Sequence, residues 1–396
     1  MTTRSRTRGT LTLATRGSDL ALRQATSVQE ALTDERYEVD LIEVETRGDQ
    51  IQDELIHQLG KTGAFVRALD QEVLDPTAEA DAAVHSMKDM PTDSPDGLVV
   101  AGIPQRAPPG DLLITTDGQK LSELPSGATV GTSSLRRQAQ LLDQRSDITV
   151  EPLRGNVDTR IEKLLAPSLQ TEHEQRIEAE QDEMTDGESA RSDDKAEHAE
   201  EDEASEDLPE FEQSIEEWFN ELSEIERRAL ERSVETEYDA IVLAEAGLQR
   251  SGLIHHIEYV KLDTATFVPA PGQGAIAITT QGKTDATTQI REAIDHPRTR
   301  VETTVERTVL AELGGGCIAP IGVHATLQGE YVHVTARVLA GDGTETVSGS
   351  RNLPVDNHAA AAAQFADKLA DRGADELITA ARVAADESNS TEPAGE

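Results

Sequence analysis

The stretch TLTLATRGSDLALRQATSVQEALTDERYEVDLIEVE, residues 10–45, decides the fold class. Its first residues alternate leucine with threonine and predict a strand, whereas residues 18–32 carry apolar side chains at helical spacing. Residues 37–45 alternate again and predict a second strand. A helix between two strands is the unit from which parallel sheets are built. We therefore predict that the chain begins with an α/β fold.

The same alternation continues through most of the chain. Predicted strands and helices follow one another in AFVRALDQEVL, DAAVH, ATVGT, SLRRQAQLLD, ITVEPL, NVDTRIEKLL and YDAIVLA. From about Thr299 the order changes to a helix, a glycine loop, several strands and the helix HAAAAAQFADKLADRG. We predict α/β regions with largely parallel sheets, followed by a smaller α+β domain. A length of 396 residues is that of two or three domains.

Composition limits the classes of function. The formal net charge of -40 argues against a nucleic-acid-binding surface. No stretch approaches the about 18 apolar residues of a membrane span, and the basic first residues lack the apolar part of a secretory signal. One cysteine excludes an intramolecular disulfide, and no Cys/His cluster indicates a zinc site. We predict a cytoplasmic protein with no metal, no nucleic-acid partner and no membrane contact.

The acidic excess indicates adaptation to high salt. Arginine (28 residues) far exceeds lysine (8 residues), and carboxylates stay hydrated while salt screens their repulsion. The alternative is an ordinary acidic protein with a disordered acidic tail.

Residues 171–237 hold 27 Asp and Glu against 6 Lys and Arg. Within them, residues 178–207 have almost no apolar side chain and are predicted to be disordered. Residues 215–237 show helical apolar spacing and predict one charged helix. We expect an insertion, residues 168–234, that lies on the surface of the second lobe and remote from chemistry. The last residues, from 385 onwards, are predicted to be a loose tail.

Cationic and hydroxyl side chains follow the predicted strands. Ligands of open parallel sheets bind at the carboxyl ends of the strands, where helix N-termini offer donors to anions. Arginine suits bidentate recognition of carboxylates, and no GxxxxGK[ST] nucleotide loop occurs. Each residue alone is ordinarily a helix cap, a turn or a solvated face, but together they predict a cleft for a ligand with several carboxylates or phosphates. The candidates are Arg16, Ser18, Lys88, Asp89, Ser134, Arg136, Arg137, Arg154, Arg160 and Arg250.

The single cysteine, Cys317, stands in ELGGGCIAPIG, residues 312–322. A lone cysteine is usually a small buried apolar residue. Three glycines, however, make poor core and poor helix, and they let the backbone pass close to another group. The thiol is therefore a candidate nucleophile or attachment point. The loop APGQGA, residues 270–275, indicates a tight turn or a close backbone approach, with an inter-domain loop as the alternative.

Five motifs in order carry a family resemblance. HSMKDMP, GTSSLRRQ, RGNVDTR, PAPGQGA and GGGC followed by PIG closely resemble the porphobilinogen deaminase family, also called hydroxymethylbilane synthases. ATRGSDLALRQA and TRGD match its N-terminal pattern, and the resemblance covers residues 11–380 apart from the acidic insertion. Two features depart from the family. Its basic loop residue aligns with Thr62, with Lys61 one place earlier, and a long acidic segment separates RGNV from YDAIVLA.

The resemblance implies an enzyme that condenses four porphobilinogen molecules head to tail into linear hydroxymethylbilane, with release of ammonia. The chain grows on a dipyrromethane cofactor, which a thioether attaches to Cys317, so this cysteine is an anchor. Asp89 would stabilise the cationic pyrrole that loss of ammonia leaves. The implied cofactor contacts are Arg16, Ser18, Lys88, Ser134, Arg136, Arg137, Arg154, Arg160 and Arg250. The implied substrate contacts are Arg16, Arg154, Arg160, Arg250, Gln273, Gly274 and Ala275.

The family fold implies three domains: two α/β lobes like those of periplasmic binding proteins, which flank a cleft, and a smaller α+β domain with the cysteine. We place domain 1 at residues 10–104 and 269–297, domain 2 at 105–268 and domain 3 at 298–384. Crossings near Gln105 and Val268 would act as hinges. We expect a monomer. The alternative function is a non-enzymatic anion-binding or ligand-sensing module, which would have no need of a thiol in a glycine loop.

Overall fold

The computed structural model describes residues 7–44, 64–189, 211–316 and 319–390. Cys317 lies outside these residues, as do the TRGD motif and the loop with Lys61 and Thr62. Every other predicted site residue is within the described ranges.

The chain builds two α/β lobes and a third region. It starts the first lobe with β1 (Gly9–Thr15), α1 (Asp19–Asp34), β2 (Tyr37–Glu43), α2 (Ala64–Leu74), β3 (Ala82–Ser86) and β4 (Leu98–Gly102). It then forms the second lobe from β5 (Asp111–Ile114), β6 (Thr129–Gly131), α3 (Leu135–Gln144), β7 (Thr149–Glu151), α4 (Val157–Ser189), α5 (Ile215–Glu221), α6 (Glu224–Leu230), β8 (Ala240–Ala244), α7 (Glu245–Ser251) and β9 (Tyr259–Lys261). It returns to the first lobe with β10 (Ile276–Gln281) and α8 (Asp285–Ile294). The third region contains α9 (Pro297–Glu312), β11 (Ile321–Gln328), β12 (Tyr331–Leu339), β13 (Thr346–Pro354), α10 (His358–Ala370) and α11 (Ala374–Ser390).

The two lobes share one strand arrangement. The sheet orders are β2-β1-β3-β10-β4 and β7-β6-β8-β5-β9. In each sheet one strand runs antiparallel to both neighbours, β10 in the first lobe and β5 in the second. In each lobe this antiparallel strand is the first that the chain forms after it passes over from the other lobe. No helix precedes it there to carry the chain back to the edge of the sheet at which a parallel strand would begin. The remaining pairs, β1 with β2 and β3 and β6 with β7 and β8, are parallel, so the predicted α/β class is confirmed. The prediction of largely parallel sheets is wrong, because four of the eight described strand pairs in these two sheets are antiparallel.

The alternation in the opening stretch explains how the first sheet is covered. Leu11 and Leu13 are buried in one cluster with residues of α1 and with Ile290 of α8. Ala14, the next residue along β1, is buried on the opposite face with Leu69 of α2. Successive strand residues point to opposite faces, so both faces of this sheet carry a helix.

The third region is the predicted α+β domain. Its sheet, β11-β12-β13, is antiparallel throughout, and α9 and α10 pack on one face. Val323 and Val334 of the sheet and Phe365 and Leu369 of α10 belong to one buried cluster. The glycine loop that precedes Cys317 follows α9, so this domain presents that loop.

The acidic insertion differs from its prediction. Disorder from residue 178 is wrong for residues 178–189, because α4 continues to Ser189, while residues 190–207 lie outside the described part. The predicted single helix over 215–237 is also wrong, since α5 and α6 are separate. The backbone N–H of Ser223 donates to Glu226 Oε2 at 2.7 Å and starts α6 anew.

The C-terminal end is also more helical than predicted. The loose tail expected from residue 385 is wrong up to Ser390, where α11 ends, and residues 391–396 lie outside the described part. Among the described helices, none combines the length and the apolar character that a bilayer span requires.

Candidate active site

Charged residues of the two lobes face one another across a cleft. The loop after β3 carries Lys88, and the charges of Arg137, Arg160 and Asp111 in the second lobe all act on the Lys88 ammonium. Lys88, Arg137 and Arg160 follow β3, β6 and β7, whose loops the sequence singles out, whereas Asp111 is the first residue of β5. The structure therefore brings the predicted cationic loops of both lobes together.

A cavity of about 1120 Å³ forms the outer part of this cleft. Arg16 and Ser18 line it from the first lobe, and Arg154 lines it from the second. Ser18 stands at the N-cap position of α1, but its hydroxyl makes no capping hydrogen bond. The cavity thus combines guanidinium and hydroxyl donors, the groups that bind carboxylates.

The 3₁₀ turn Met87–Asp89 presents Lys88 and Asp89 directly after β3. Met87 is buried, Lys88 is half-buried and Asp89 is exposed. Asp89 raises the pKa of Lys88, but burial and the charges of Arg137 and Arg160 outweigh it and hold that pKa below the usual 10.5. The turn therefore places one carboxylate and one ammonium at the centre of a cationic region.

A buried carboxylate that the sequence analysis missed lies beneath the cleft. Asp111 is 1% exposed and accepts hydrogen bonds from Arg136 Nη2 and Arg137 Nη2, both at 2.8 Å. Burial alone would raise the pKa of Asp111, but the two guanidinium groups lower it to about 2. Arg136 also donates to the carbonyl of Val268, and Arg137 to that of Val242. Both arginines are therefore held inside the second lobe and its crossing.

Helix α9 supports the turn that carries Asp89. Arg307 donates to the carbonyls of Met87 at 3.3 Å, Met90 at 3.2 Å and Pro91 at 2.5 Å. Beside it, the fully buried Glu306 accepts two hydrogen bonds from Arg106, at 2.8 and 2.9 Å. In the sequence, the only signal for Glu306 and Arg307 is that two adjacent charged residues stand between the buried residues of α9. Arg307 thus links the third domain to the catalytic candidate.

The APGQGA loop serves the crossings between the lobes. Gln273 is 1% exposed, and its Nε2 donates to Pro109 O at 2.6 Å and to Asp111 Oδ1 at 2.9 Å. Gly274 has φ of 85°, and a Cβ there would lie 2.4 Å from the carbonyl oxygen of Ala107. Ala275 is buried as well. Substrate contact by these three residues stays a prediction, because the structure turns the Gln273 side chain towards Asp111.

The remaining predicted residues lie around the second-lobe loops. Arg160 Nε donates to Gly155 O at 2.8 Å, and burial together with Arg137 lowers the pKa of Arg160 to about 10. Arg250 Nη2 donates to Gly274 O at 2.7 Å, and burial lowers its pKa. The Ser134 hydroxyl accepts from Arg137 N and caps α3. Each residue is thereby oriented by backbone that borders the cleft.

The glycines before Cys317 have different surroundings. A Cβ on Gly315 would lie 2.3 Å from Ile321 Cδ1 and 2.8 Å from Leu310 Cδ1, so a side chain here would have to displace these buried residues. A Cβ on Gly316 would meet no described atom within 4 Å. The backbone next to the cysteine is therefore uncrowded on this side. Across the described residues there is no group of three or more His, Cys, Asp or Glu side chains with metal-binding geometry.

The end of the acidic insertion is not remote from the cleft, which corrects the prediction. Arg232, Ser233 and Val234 line the same cavity as Arg16 and Arg154. The connection before β8 therefore reaches the carboxyl end of β7. The predicted remote position of the insertion is wrong because α4 is long and the chain returns along this helix to the cleft.

The fold and the cleft define a protein with two α/β lobes around a cationic cleft and a third domain that braces it. Two family models match the chain: porphobilinogen deaminase, dipyrromethane cofactor binding domain, over residues 11–172 and 223–289, and porphobilinogen deaminase, C-terminal domain, over residues 301–371. The chain belongs to the porphobilinogen deaminase family. It is a transferase of tetrapyrrole biosynthesis that acts on porphobilinogen with a dipyrromethane cofactor.

Relatives support this assignment along nearly the full chain. A probable porphobilinogen deaminase of Halobacterium salinarum is 51% identical over 398 residues, which cover 94% of this chain and 98% of that protein. One of Methanococcoides burtonii is 34% identical over 92% of this chain and 95% of that protein. The porphobilinogen deaminase of Deinococcus radiodurans is 34% identical over 94% of this chain and 99% of that protein. The first relative also supports the halophilic origin that the composition predicts.

Proposed function

We propose that the cleft around Lys88 and Asp89 is where porphobilinogen units are joined head to tail into linear hydroxymethylbilane. In each addition the bond between the aminomethyl carbon and its nitrogen breaks, and that carbon bonds to the free α-carbon of the terminal pyrrole. The displaced amine takes up a proton and leaves as ammonia, the α-carbon loses its proton once the new bond has formed, and water completes release of the four-ring product. The observation that carries the proposal is the cavity lined by Arg16 and Ser18 of the first lobe and Arg154 of the second, with Lys88 close enough for the charges of Arg137 and Arg160 to act on it.

The residues at the cleft fit a dipyrromethane. Each pyrrole carries an acetate and a propionate, and the cleft offers guanidinium, ammonium and hydroxyl donors to them. When bound, the dipyrromethane supplies the free pyrrole carbon at which the chain starts. We assign its attachment to Cys317, because a thiolate is a soft nucleophile suited to a methylene carbon and the neighbouring Gly316 is uncrowded.

Asp89 is the proposed catalytic residue. Its exposed carboxylate stands on a turn that buried Met87 and the contacts of Arg307 hold in place. A carboxylate within hydrogen-bond reach of the pyrrole N–H stabilises the positive charge that loss of ammonia creates, and it can accept the α-proton afterwards. This role needs a fixed position, which the bracing by α9 supplies.

The proposed binding residues form two groups, those that bind carboxylates directly and those that border the cofactor from within the second lobe. Arg16, Ser18, Lys88, Arg154, Arg160 and Arg250 bind carboxylates of cofactor and substrate directly. Ser134, Arg136 and Arg137 border the cofactor from within the second lobe, where Asp111 fixes the two guanidinium groups. Gly274 and Ala275 shape the crossing beside the substrate.

The domain bounds follow the two crossings, with residues 10–104 and 269–297, 105–268 and 298–384 as the three domains. We propose that the protein works as a monomer in the cytoplasm. Both walls of the cleft come from one chain, and a protein with one cysteine suits a reducing compartment. A non-enzymatic anion-binding module is not favoured, because the family models match the lobes and the third domain alike.

The replacement Asp89→Asn tests the proposal. Asparagine keeps the size of the side chain but loses its charge, so turnover of saturating porphobilinogen should fall by about 100-fold or more. Asp93→Asn, an exposed carboxylate a few residues along the same loop, is the matched control and should keep the parent rate. Near-normal turnover of Asp89→Asn would refute the catalytic role.

A further inference from the structure

Part of the chain lies outside the family model and is nevertheless packed. Residues 173–222 are unmatched between the two segments of the cofactor-binding domain. In this part the rings of His173 and Trp218 stack with centroids 5.8 Å apart. The Arg176 guanidinium lies 5.1 Å from the Trp218 ring and 4.2 Å from that of Phe211. These contacts fold α5 back onto α4, so the described parts of this segment, residues 173–189 and 211–222, pack against each other on the second lobe.

The chain after α6 is tied to α4. Gln170 Nε2 donates to the carbonyls of Leu230 at 3.1 Å and Arg232 at 2.7 Å. Arg232 Nε donates to Glu162 Oε2 at 2.9 Å, and Glu162 is fully buried. Arg232 itself remains 30% exposed. The returning segment, residues 232–236, is therefore held against α4 with one guanidinium at the surface of the cavity.

The position of this cavity follows from the strand order. The crossings between the lobes start and end at β4, β5, β9 and β10, which lie at one edge of each sheet. The opposite edges are β2 and β7, and the cavity is lined by Glu43 and Val44 at the end of β2 and by Arg154 after β7. Asp89 follows β3, nearer the middle of the sheet. The cavity is therefore the end of the cleft farthest from the crossings.

The charge of this end is opposite to that of the protein. The described residues that line it include four Lys or Arg, namely Arg16, Arg154, Lys163 and Arg232, and two Glu, Glu43 and Glu235. The whole chain has 36 Lys and Arg against 76 Asp and Glu. Two of the four cations, Lys163 and Arg232, have no role among the residues already discussed.

We propose that Lys163 and Arg232 form a carboxylate subsite for the pyrrole rings already joined, while Asp89 acts on the ring being added. This inference rests on the proposed function, since a growing chain of acetate- and propionate-bearing rings brings more carboxylates than the cofactor and one substrate molecule carry. The subsite depends on the chain that returns after α6, because the contacts of Leu230 and Arg232 with Gln170 and Glu162 of α4 bring Arg232 to the cavity.

The test uses Lys163→Gln, Arg232→Gln and the double variant of the full chain. Each is mixed with saturating porphobilinogen, quenched rapidly, and analysed by intact mass for enzyme that carries one, two, three or four added rings. The late additions should slow about fivefold more than the first, because charge-assisted contacts are lost only when later rings arrive. Enzyme with two or three added rings should therefore accumulate. Arg232→Lys, which keeps the charge, should restore much of the late rate.

Two controls make the outcome decisive. Arg227→Gln alters an exposed arginine of α6 that contacts the carbonyl of Asn220. It should leave the proportions of enzyme with one, two, three and four added rings unchanged. Trp218 is the single tryptophan of the chain, so its emission reports whether α5 stays packed in each variant. The subsite would be overturned if the double variant, with α5 still packed, showed unchanged proportions of enzyme with one to four added rings. Equal slowing of all four additions would overturn it as well. A parent enzyme that adds no ring at all would instead overturn the proposed function.

Discussion

Replacing Asp111 by asparagine tests how the buried carboxylate stabilises the second lobe. Asp111 is the shared partner of Arg136 and Arg137, at 2.8 Å from each, and its side chain is fully buried. Asparagine keeps the shape but leaves two buried guanidinium groups without a counter-ion. Removing one member of a buried pair costs roughly 3–5 kcal/mol. For a lobe of this size the melting temperature should fall by about 10 °C.

The chain offers a matched control for this substitution. Asp147 accepts from Arg145 Nε at 2.7 Å, and this hydrogen bond lowers the pKa of Asp147 to about 2, the same value as for Asp111. Its side chain is, however, 42% exposed, so solvent and salt screen the pair. Thermal unfolding followed by circular dichroism at high salt should show no measurable change for Asp147→Asn. Equal shifts for the two variants, or none for Asp111→Asn, would refute the argument from burial.

The same carboxylate predicts an acid dependence. Because the folded protein holds the pKa of Asp111 at about 2, below the ordinary 3.8, its stabilising effect is complete above pH 4. It is lost as the pH falls towards 2, which removes roughly 2 kcal/mol of unfolding free energy. The difference in stability between parent and Asp111→Asn should therefore shrink over this range. A difference that stays constant down to pH 2 would contradict the assigned cause.

Three further substitutions follow from the site. Arg307→Met removes the contacts that hold the Asp89 turn, so kcat should fall about tenfold while KM changes little, and Arg298→Met on the same helix should match the parent in a steady-state assay. Gly274→Ala should lower the melting temperature by several degrees, because a Cβ would lie 2.4 Å from a carbonyl oxygen, whereas Gly127→Ala, also at positive φ but in open space, should cost less. Arg160→Leu should either prevent attachment of the dipyrromethane or stall chain growth after the cofactor is attached. Intact mass would show the missing cofactor in the first case and fewer added rings in the second.

Much of the fold and the cationic loops could be predicted because both depend on local patterns. The alternation over residues 10–45 predicts β1, α1 and β2, and the rule for the carboxyl ends of strands then places Arg16 and Lys88 near a ligand. Parallel pairing of these strands needs no long-range information beyond the helix between them. The antiparallel strands β5 and β10 could not be predicted, because their direction depends on where the chain crosses between the lobes.

The parts that could not be predicted depend on contacts distant in sequence. Arg307 meets the carbonyl of Met87 from 220 residues away, and nothing in its neighbourhood along the chain indicates that partner. The helices of the insertion are a different case. The sequence contains signals for them, but the acidic composition of this part of the chain favours disorder more strongly. Trp218 and Phe211 provide aromatic anchors, and the Ser-x-x-Glu pattern at Ser223 marks a new helix start.

The central claim is that this chain carries a growing pyrrole chain on Cys317. Intact mass of the purified full-length protein tests it most directly. We expect a mass above that of the sequence by one dipyrromethane and a stepwise increase when porphobilinogen is added to the parent. Cys317→Ala should lose both this increment and turnover. An unmodified parent protein that still converts porphobilinogen, or a Cys317→Ala variant that keeps the added mass, would contradict it.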